Sequence, residues 1–261
     1  MNMKSALTIA GSDSGGGAGV QADLKTMSAF KVFGMSAIVA ITAQNTQTVS
    51  SVFNLPLEMI QAQIDTVFED IQVDAVKIGM LSTAEIISTV AESLRKWKPA
   101  IIVLDPVMIS KSGCALLQED AVQALKNELL PLASLITPNV PEAEVLAGIK
   151  IVTKDDMRKA AEILLATGTK AVLLKGGHCE EHADDLLFFA EQELWLKGER
   201  IESRNTHGTG CTLSSAITAL LAREYSLEES CREGKAFVRR AMSAGLDIGQ
   251  GCGPLHHFVD W

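Results

Sequence analysis

The sequence predicts an α/β protein in which helices cover a mostly parallel sheet. Short apolar runs rich in Ile, Val and Ala alternate with longer segments of helical periodicity along the 261 residues, which is the order of elements in parallel α/β folds. The apolar runs are also nearly continuous, as expected for strands that are buried on both faces. No internal repeat or low-complexity linker interrupts this pattern, so we expect a single domain over residues 1–261.

The individual elements follow from these runs. Strands are predicted at residues 6–10, 36–41, 75–78, 101–104, 134–136 and 171–174. Helices are predicted at residues 20–30, 57–70, 83–97, 120–129, 141–147, 155–166, 212–223 and 227–248. Capping boxes, Ser82 with Glu85 and Ser226 with Glu229, indicate where two of these helices begin. Runs at residues 186–190 and 193–196 predict a late antiparallel hairpin, which residues 201–203 could extend.

The composition excludes several functional classes. A net charge of −9 without a basic cluster argues against a protein that binds the phosphate backbone of nucleic acids. The five cysteines show no paired spacing, which indicates a reducing compartment. The N-terminus lacks the pattern of a signal peptide, and no apolar stretch approaches the ~20 residues that span a bilayer. We therefore expect a cytoplasmic protein without membrane or nucleic-acid partners.

Glycines and polar residues follow the predicted strands, at the points where those strands end. Ligands of open parallel sheets bind outside the carboxyl ends of the strands, so these residues should surround one crevice. The segments are Gly11-Ser12-Asp13, Gln44-Asn45, Gly79-Met80, Asp105-Pro106-Val107, Thr137-Pro138-Asn139 and Lys175-Gly176-Gly177-His178.

The segment His207-Gly208-Thr209-Gly210-Cys211-Thr212 comes directly before an apolar helical stretch. A helix that begins here directs unpaired N–H groups and the positive end of its dipole at one point, which suits an anion such as phosphate. Cys211 has several possible roles at this position. It could be a buried structural cysteine, a covalent nucleophile, or a general base whose pKa is tuned by the helix N-terminus.

A second glycine-rich loop follows the first strand, at residues 11–19, with Asp23 shortly after it. This loop is longer and more acidic than the dinucleotide-binding pattern, and it lacks the Gly-Lys-Ser/Thr ending of a P-loop. Asp13 and Asp23 could bind a polar, uncharged small molecule there, or the loop could be a surface turn.

Two carboxylates and a lysine predict a site for phosphate and a metal ion. Asp105 and Glu142 offer the oxygen ligands that Mg²⁺ prefers, although Asp105 could instead cap a loop and Glu142 could serve only the first turn of its helix. Lys175 could bind a phosphate or lie at a sheet edge. Met80 could pack against a planar ring or belong to the core.

Taken together, these segments resemble the ribokinase-like superfamily and, within it, the hydroxymethylpyrimidine/phosphomethylpyrimidine kinases of thiamin biosynthesis. The resemblance covers residues 7 to about 258. Besides the strand-end segments, the matching motifs include Gly15-Gly16-Gly17-Ala18-Gly19, Pro141-Glu142-Ala143 and Asn205-Thr206-His207-Gly208-Thr209-Gly210-Cys211-Thr212.

This resemblance implies a three-layer α/β/α sandwich, ATP with Mg²⁺, and transfer of the γ-phosphoryl group to a hydroxymethylpyrimidine and then to its monophosphate. It also implies a homodimer. In the catalytic role, Cys211 takes the substrate proton while the N–H groups of Gly208, Thr209, Gly210 and Cys211 bind the transferring phosphoryl group.

The resemblance implies binding roles as well. Gln44 matches the pyrimidine-binding glutamine, and the pyrimidine pocket also contains Gly11, Asp23, Met80 and Val107. The nucleotide and metal side contains Asn139, Lys175, Asp105 and Glu142. The loop at residues 110–113 could close over the phosphates or could be a simple connector.

Two other functions remain open from the sequence. The chain could be a pyridoxine or pyridoxal kinase of the same superfamily, since those enzymes also act on a planar heteroaromatic alcohol. It could also be a ligand-binding relative that transfers no phosphate.

Overall fold

A computed structural model describes residues 3–108, 119–177, 183–190 and 192–260. The strands of these residues form one sheet, in the order β3-β2-β1-β4-β5-β6-β7-β8-β9. They are β1 (Ser5–Asp13), β2 (Phe33–Gln44), β3 (Val49–Asn54), β4 (Ala75–Ile78), β5 (Ile102–Leu104), β6 (Leu135–Ile136), β7 (Ala171–Leu174), β8 (Asp185–Phe189) and β9 (Gln192–Leu196). The central strands are parallel, and β3, β8 and β9 pair antiparallel at the edges.

Helices cover both faces of this sheet. They are α1 (Gly19–Ala29), α2 (Leu57–Asp70), α3 (Ala84–Trp97), α4 (Glu119–Ala124), α5 (Val140–Ala147), α6 (Lys154–Leu165), α7 (Thr209–Ala222) and α8 (Leu227–Ala244). A π-helical turn (Leu125–Leu129) and a 3-10 turn (Leu130–Leu132) continue α4. In the part of the chain that the structure describes, no helix is both long enough and apolar enough to span a bilayer.

The alternation of side chains along the strands separates the two cores. In β5, Ile102 and Leu104 pack with residues of α2 to α6, whereas Val103 packs with residues of α7 and α8. Met27 of α1 lies in a third cluster with Ala219 of α7, on the same face as α7. This arrangement confirms the predicted three-layer α/β/α sandwich with a mostly parallel sheet.

The largest differences from the predicted elements occur where the apolar signal is weak. The edge strand β3 was not predicted, because its sequence VSSVFN is exposed or half-buried throughout and carries no buried run. The segment 201–203 does not extend the hairpin. The last helix ends at Ala244 rather than at residue 248, with Gly245 at a φ of +60° just beyond it.

The two predicted capping boxes have different outcomes. Ser226 and Glu229 form the predicted box at the start of α8. The prediction for α3 was wrong by one residue: Thr83 is the N-cap and accepts a hydrogen bond from the N–H of Ile86. The Ser82 hydroxyl instead donates to Oδ1 of Asn54, at 2.8 Å.

We predict that Thr83→Ala lowers the free energy of unfolding by about 1 kcal/mol, the usual value of an N-cap hydrogen bond. Ser82→Ala removes only a hydrogen bond between exposed side chains and should cost less than half as much. Urea unfolding of both variants measures the difference. A larger loss in Ser82→Ala would contradict the assignment of Thr83 as the cap.

Candidate active site

The carboxyl ends of the central strands surround a cavity of about 1360 Å³. Most of the residues that the sequence places in a site line this cavity. They are Gly11, Gln44, Met80, Asp105, Val107, Asn139, Glu142, Lys175, Gly208, Thr209, Gly210 and Cys211. The loop at residues 110–113, which could be a lid or a simple connector, and His178 lie outside the described residues.

The backbone at the start of α7 is shaped to approach a ligand closely. Gly208 is the N-cap and has a φ of +82°, a conformation that favours glycine. A Cβ at this position would overlap the carbonyl oxygen of Gly17, so the start of α7 lies directly against the glycine-rich loop. The N–H groups of the first helical turn have no acceptor within the helix. Those of Thr209, Gly210 and Cys211 are therefore suited to bind an anion.

Cys211 is a free thiol in the first turn of α7. Burial and, to a smaller extent, the carboxylates of Asp23 and Asp105 raise the pKa of its thiol to about 11, against the opposing effects of the Lys77 ammonium and the N–H of Gly19. The sulfur is therefore a protonated thiol at neutral pH in the absence of ligands.

Gln44 lies where the pyrimidine pocket is predicted, at the end of β2. The Thr42 hydroxyl donates to its Oε1 at 3.1 Å, and its Nε2 lies 3.3 Å from Nε2 of His207. The same His207 nitrogen is 2.9 Å from Oδ2 of Asp13. We had not predicted a role for His207. The sequence feature that could have indicated a role for His207 is its position immediately before the predicted anion-binding turn.

Gly11 and Met80 form another wall of the cavity. A Cβ at Gly11 would lie 2.7 Å from Cε of Met80, so this glycine makes room for the methionine side chain. Met80 also packs against the core under the sheet. Met80 is therefore a core residue that also faces the cavity, and its packing against a planar ring stays a prediction.

Asp23, predicted to lie in the pyrimidine pocket, lies outside the cavity lining. Its side chain is fully buried and forms an ion pair with Lys77, at 2.8 Å. Thr8 and Ser215 donate further hydrogen bonds to the same carboxylate. Asp23 lies on the face of α1 that points into the interior. The prediction that it contacts a substrate is therefore corrected.

The predicted phosphate and metal residues form one cluster. Oδ1 of Asp105 accepts hydrogen bonds from Nζ of Lys175 at 3.0 Å and from Thr137 at 3.1 Å. Asn139 and Glu142 cap α5 reciprocally, because each side chain accepts from the backbone N–H of the other. Burial, and the nearby charge of Asp105, raise the pKa of Glu142 to about 7, against the opposing effect of Lys175.

The raised pKa of Glu142 makes stability depend on pH. Between the ordinary pKa of 4.5 and the folded pKa of about 7, the folded protein binds more protons than the unfolded chain. Stability therefore falls as the pH rises through this range. Glu142→Gln cannot ionise and retains an oxygen for the cap. It should unfold a few degrees above the wild type at pH 8 and close to it at pH 4.5, as measured by thermal unfolding in buffer with a chelator.

Glu144 in the same helix provides a control of opposite sign. Hydrogen bonds from the Ile151 N–H and from Lys150 lower the pKa of Glu144. Glu144→Gln should therefore lose stability relative to the wild type at pH 8. If the advantage of Glu142→Gln did not grow with pH, burial of an ionisable carboxyl at position 142 would be contradicted.

Gly208 offers a test of the backbone contact. Gly208→Ala should disrupt the start of α7, because a methyl group there meets the Gly17 backbone and the φ is positive. We expect a loss of at least about 1–3 kcal/mol, the usual cost of a strained backbone. Gly177→Ala is the matched control, since a Cβ there has no neighbour within 4 Å among the described residues. Equal unfolding midpoints for the two variants would contradict the close contact.

The fold and this cavity together define a class of protein. A ribokinase-like sandwich whose cavity combines a helix start suited to an anion, a half-buried lysine and two buried carboxylates is a small-molecule phosphotransferase. The chain belongs to the phosphomethylpyrimidine kinase family, whose sequence model matches residues 13–256.

Individual relatives agree with this family. The chain is 52% identical to the hydroxymethylpyrimidine/phosphomethylpyrimidine kinase of Rhizobium meliloti, over 98% of this chain and 97% of the relative. The crystal structure of a Clostridium difficile phosphomethylpyrimidine kinase is 50% identical, with a TM-score of 0.84 over 91% of this chain and 99% of that one. A Bacillus subtilis pyridoxal kinase, solved as an ADP complex, is 40% identical, with a TM-score of 0.91 over 99% of this chain and 98% of that one.

Proposed function

We propose that the chain transfers the γ-phosphoryl group of ATP to the hydroxymethyl group of 4-amino-5-hydroxymethyl-2-methylpyrimidine, and then a second phosphoryl group to the monophosphate. The observation that carries this proposal is the position of Cys211. It lies in the first turn of α7, beside the anion-binding N–H groups and in the same cavity as Gln44. One site would thus combine a proton acceptor, a place for the phosphoryl charge and a group that recognises an aminopyrimidine.

The start of α7 and Lys175 would stabilise the transferring phosphoryl group. The N–H groups of Gly208, Thr209, Gly210 and Cys211 supply donors without further reorganisation, and such preorganised donors favour charge that develops in the transition state. Nζ of Lys175 would lie near the same group, since a Cβ added at Gly210 would be 3.5 Å from it. Asn139, at the start of α5, borders the cavity on the nucleotide side.

Cys211 would accept the proton of the substrate hydroxyl. With a pKa of about 11, its thiolate is a strong base but only about one molecule in a thousand carries it at pH 8. Turnover that depends on this thiolate should therefore rise with pH over the range in which the enzyme is stable.

The pyrimidine would bind between Gln44, Gly11, Met80 and Val107. The amide of Gln44 can both donate to and accept from the edge of an aminopyrimidine. Met80, which approaches closely because position 11 is glycine, offers a flexible and polarizable surface for the ring. Asp23 is left out of this pocket because its carboxylate is engaged elsewhere.

Asp105 and Glu142 fit a Mg²⁺ ion that enters with the nucleotide. A divalent cation would stabilise the ionised form of Glu142, whose pKa the charge of Asp105 raises, and Mg²⁺ is commonly bound by one or two carboxylates plus phosphate oxygens and water. Such an ion would neutralise charge on the phosphates. In the described residues no group of three or more His, Cys, Asp or Glu forms a metal cage, so phosphate oxygens would complete the coordination. A homodimer and a cytoplasmic location stay predictions.

The most direct test is incubation of the protein with Mg·ATP and the pyrimidine, followed by mass spectrometry. We expect products with one and with two added phosphoryl groups. Pyridoxal is the competing alcohol, because pyridoxal kinases are among the structural relatives. The identity of 52% to a pyrimidine kinase, and Gln44, favour the pyrimidine. A higher kcat/KM for pyridoxal, or no pyrimidine product, would contradict the proposal.

Cys211→Ala should keep the fold and lower kcat by ~10² to 10⁴, the range lost with a general base. Wild-type turnover should rise between pH 7 and 9, whereas the residual turnover of the variant should stay flat. Cys252→Ala is the matched control, since Cys252 is also half-buried and, unlike Cys211, does not line the cavity. Unchanged turnover in folded Cys211→Ala would remove Cys211 from the role of base.

A further inference from the structure

A fully buried ion pair lies beneath the anion-binding turn. Nζ of Lys77, on β4, is 3.0 and 2.8 Å from the two carboxylate oxygens of Asp23, on α1, and both side chains have no exposed surface. Oδ1 of Asp23 also accepts from Ser215 at 2.7 Å, and Oδ2 accepts from Thr8 at 2.6 Å. Four elements thus meet at one carboxylate whose two oxygens both accept hydrogen bonds.

The pair is oriented toward the active site. Lys77 contributes to the cavity lining whereas Asp23 does not, so Lys77 is the member of the pair that borders the cavity. Gly79 makes room for it, since a Cβ there would lie 2.6 Å from Nζ of Lys77. Ser215, which holds Asp23, comes one helical turn after Cys211 in α7. Residues four apart share a helix face, so α7 presents Cys211 and Ser215 to the same side.

The charged groups around Cys211 have opposing effects on the pKa of its thiol. Lys77 on β4 favours the thiolate, as does the N-terminal end of α7 itself. Asp23 on α1 and Asp105 after β5 favour the protonated thiol. Lys175 lies close to Gly210 and is paired with Asp105. Lys77 is the charged residue with the largest effect on Cys211, ahead of both carboxylates.

We propose that Lys77, held in place by Asp23, is a positioning residue for Cys211: its buried ammonium stabilises the thiolate that takes the substrate proton. The proposal rests on the proposed role of Cys211 as the base. A buried ion pair alone is weak evidence of a role in stability, because apolar replacements of similar volume are often neutral or stabilising. The pair contacts α7 through Ser215, and Lys77 lines the same cavity as Cys211, which gives the pair an electrostatic effect on the thiol.

The two partners have opposite signs, which separates this role from a structural one. Lys77→Met removes the charge that favours the thiolate, whereas Asp23→Asn removes a charge that opposes it. The measurement is the rate of alkylation of Cys211 by iodoacetamide at pH 8.5 without nucleotide, followed on the peptide that contains Cys211 by mass spectrometry. We expect about a tenfold slower reaction in Lys77→Met, equivalent to about one pKa unit, and a severalfold faster reaction in Asp23→Asn.

Internal and folding controls make the outcome decisive. The rate at Cys252 in the same samples should not change, because Cys252 hydrogen-bonds to Thr206 and Thr46 and does not line the cavity that Lys77 borders. Circular dichroism reports the fold of each variant. If a single variant fails to fold, the double variant Asp23→Asn/Lys77→Met leaves no unpaired buried charge. Its Cys211 should react more slowly than in the wild type, because the effect of Lys77 exceeds that of Asp23.

The proposal is overturned if both single variants change the rate in the same direction, or if the double variant reacts at the wild-type rate. This readout needs no substrate, so it is independent of the proposed reaction. If Cys211→Ala retained turnover, the role of Cys211 as base would fail, while the alkylation rates would still report whether Lys77 acts on the sulfur.

Discussion

The start of α7 is held against the glycine-rich loop by direct contact between two backbones, and the rest of the active site depends on this contact. The side chain of Asp13 stabilises this contact. Its carboxylate accepts the N–H groups of Gly15, Gly17 and Ala18 and contacts His207. Although burial opposes ionisation, the bonds to His207 and to the backbone keep the pKa of Asp13 below its ordinary value. The ionised carboxylate of Asp13, with both oxygens hydrogen-bonded, thus joins the predicted pyrimidine pocket to the predicted anion-binding turn.

The fold could be predicted almost completely because its signal is local. Buried parallel strands appear as short apolar runs, and β4 and β7 have the bounds that were predicted. The edge strand β3 was missed because pairing with β2, rather than burial, holds it in place. The N-cap of α3 was placed one residue early because Ser82 and Thr83 are both good caps, and only the backbone conformation distinguishes them.

The active site was predictable as a set of strand ends, but the partners of its side chains were not. The ion pair of Asp23 joins residues 54 positions apart, and its hydrogen bond from Ser215 joins residues 192 apart. His207 and Asp13 are 194 apart. Periodicity gives the face of a helix only approximately, so the sequence could not show that Asp23 points into the interior instead of toward a ligand.

The burial of Cys211 has a chemical consequence beyond proton transfer. Oxidation of cysteine by peroxide begins from the thiolate, and susceptibility follows thiolate character and exposure. A sulfur whose pKa is about 11 is almost entirely in the thiol form between turnovers, and is therefore a poor target for oxidants. The surroundings that make the thiolate scarce also protect the sulfur from being oxidised to sulfenic acid, which distinguishes Cys211 from cysteines that serve as redox sensors.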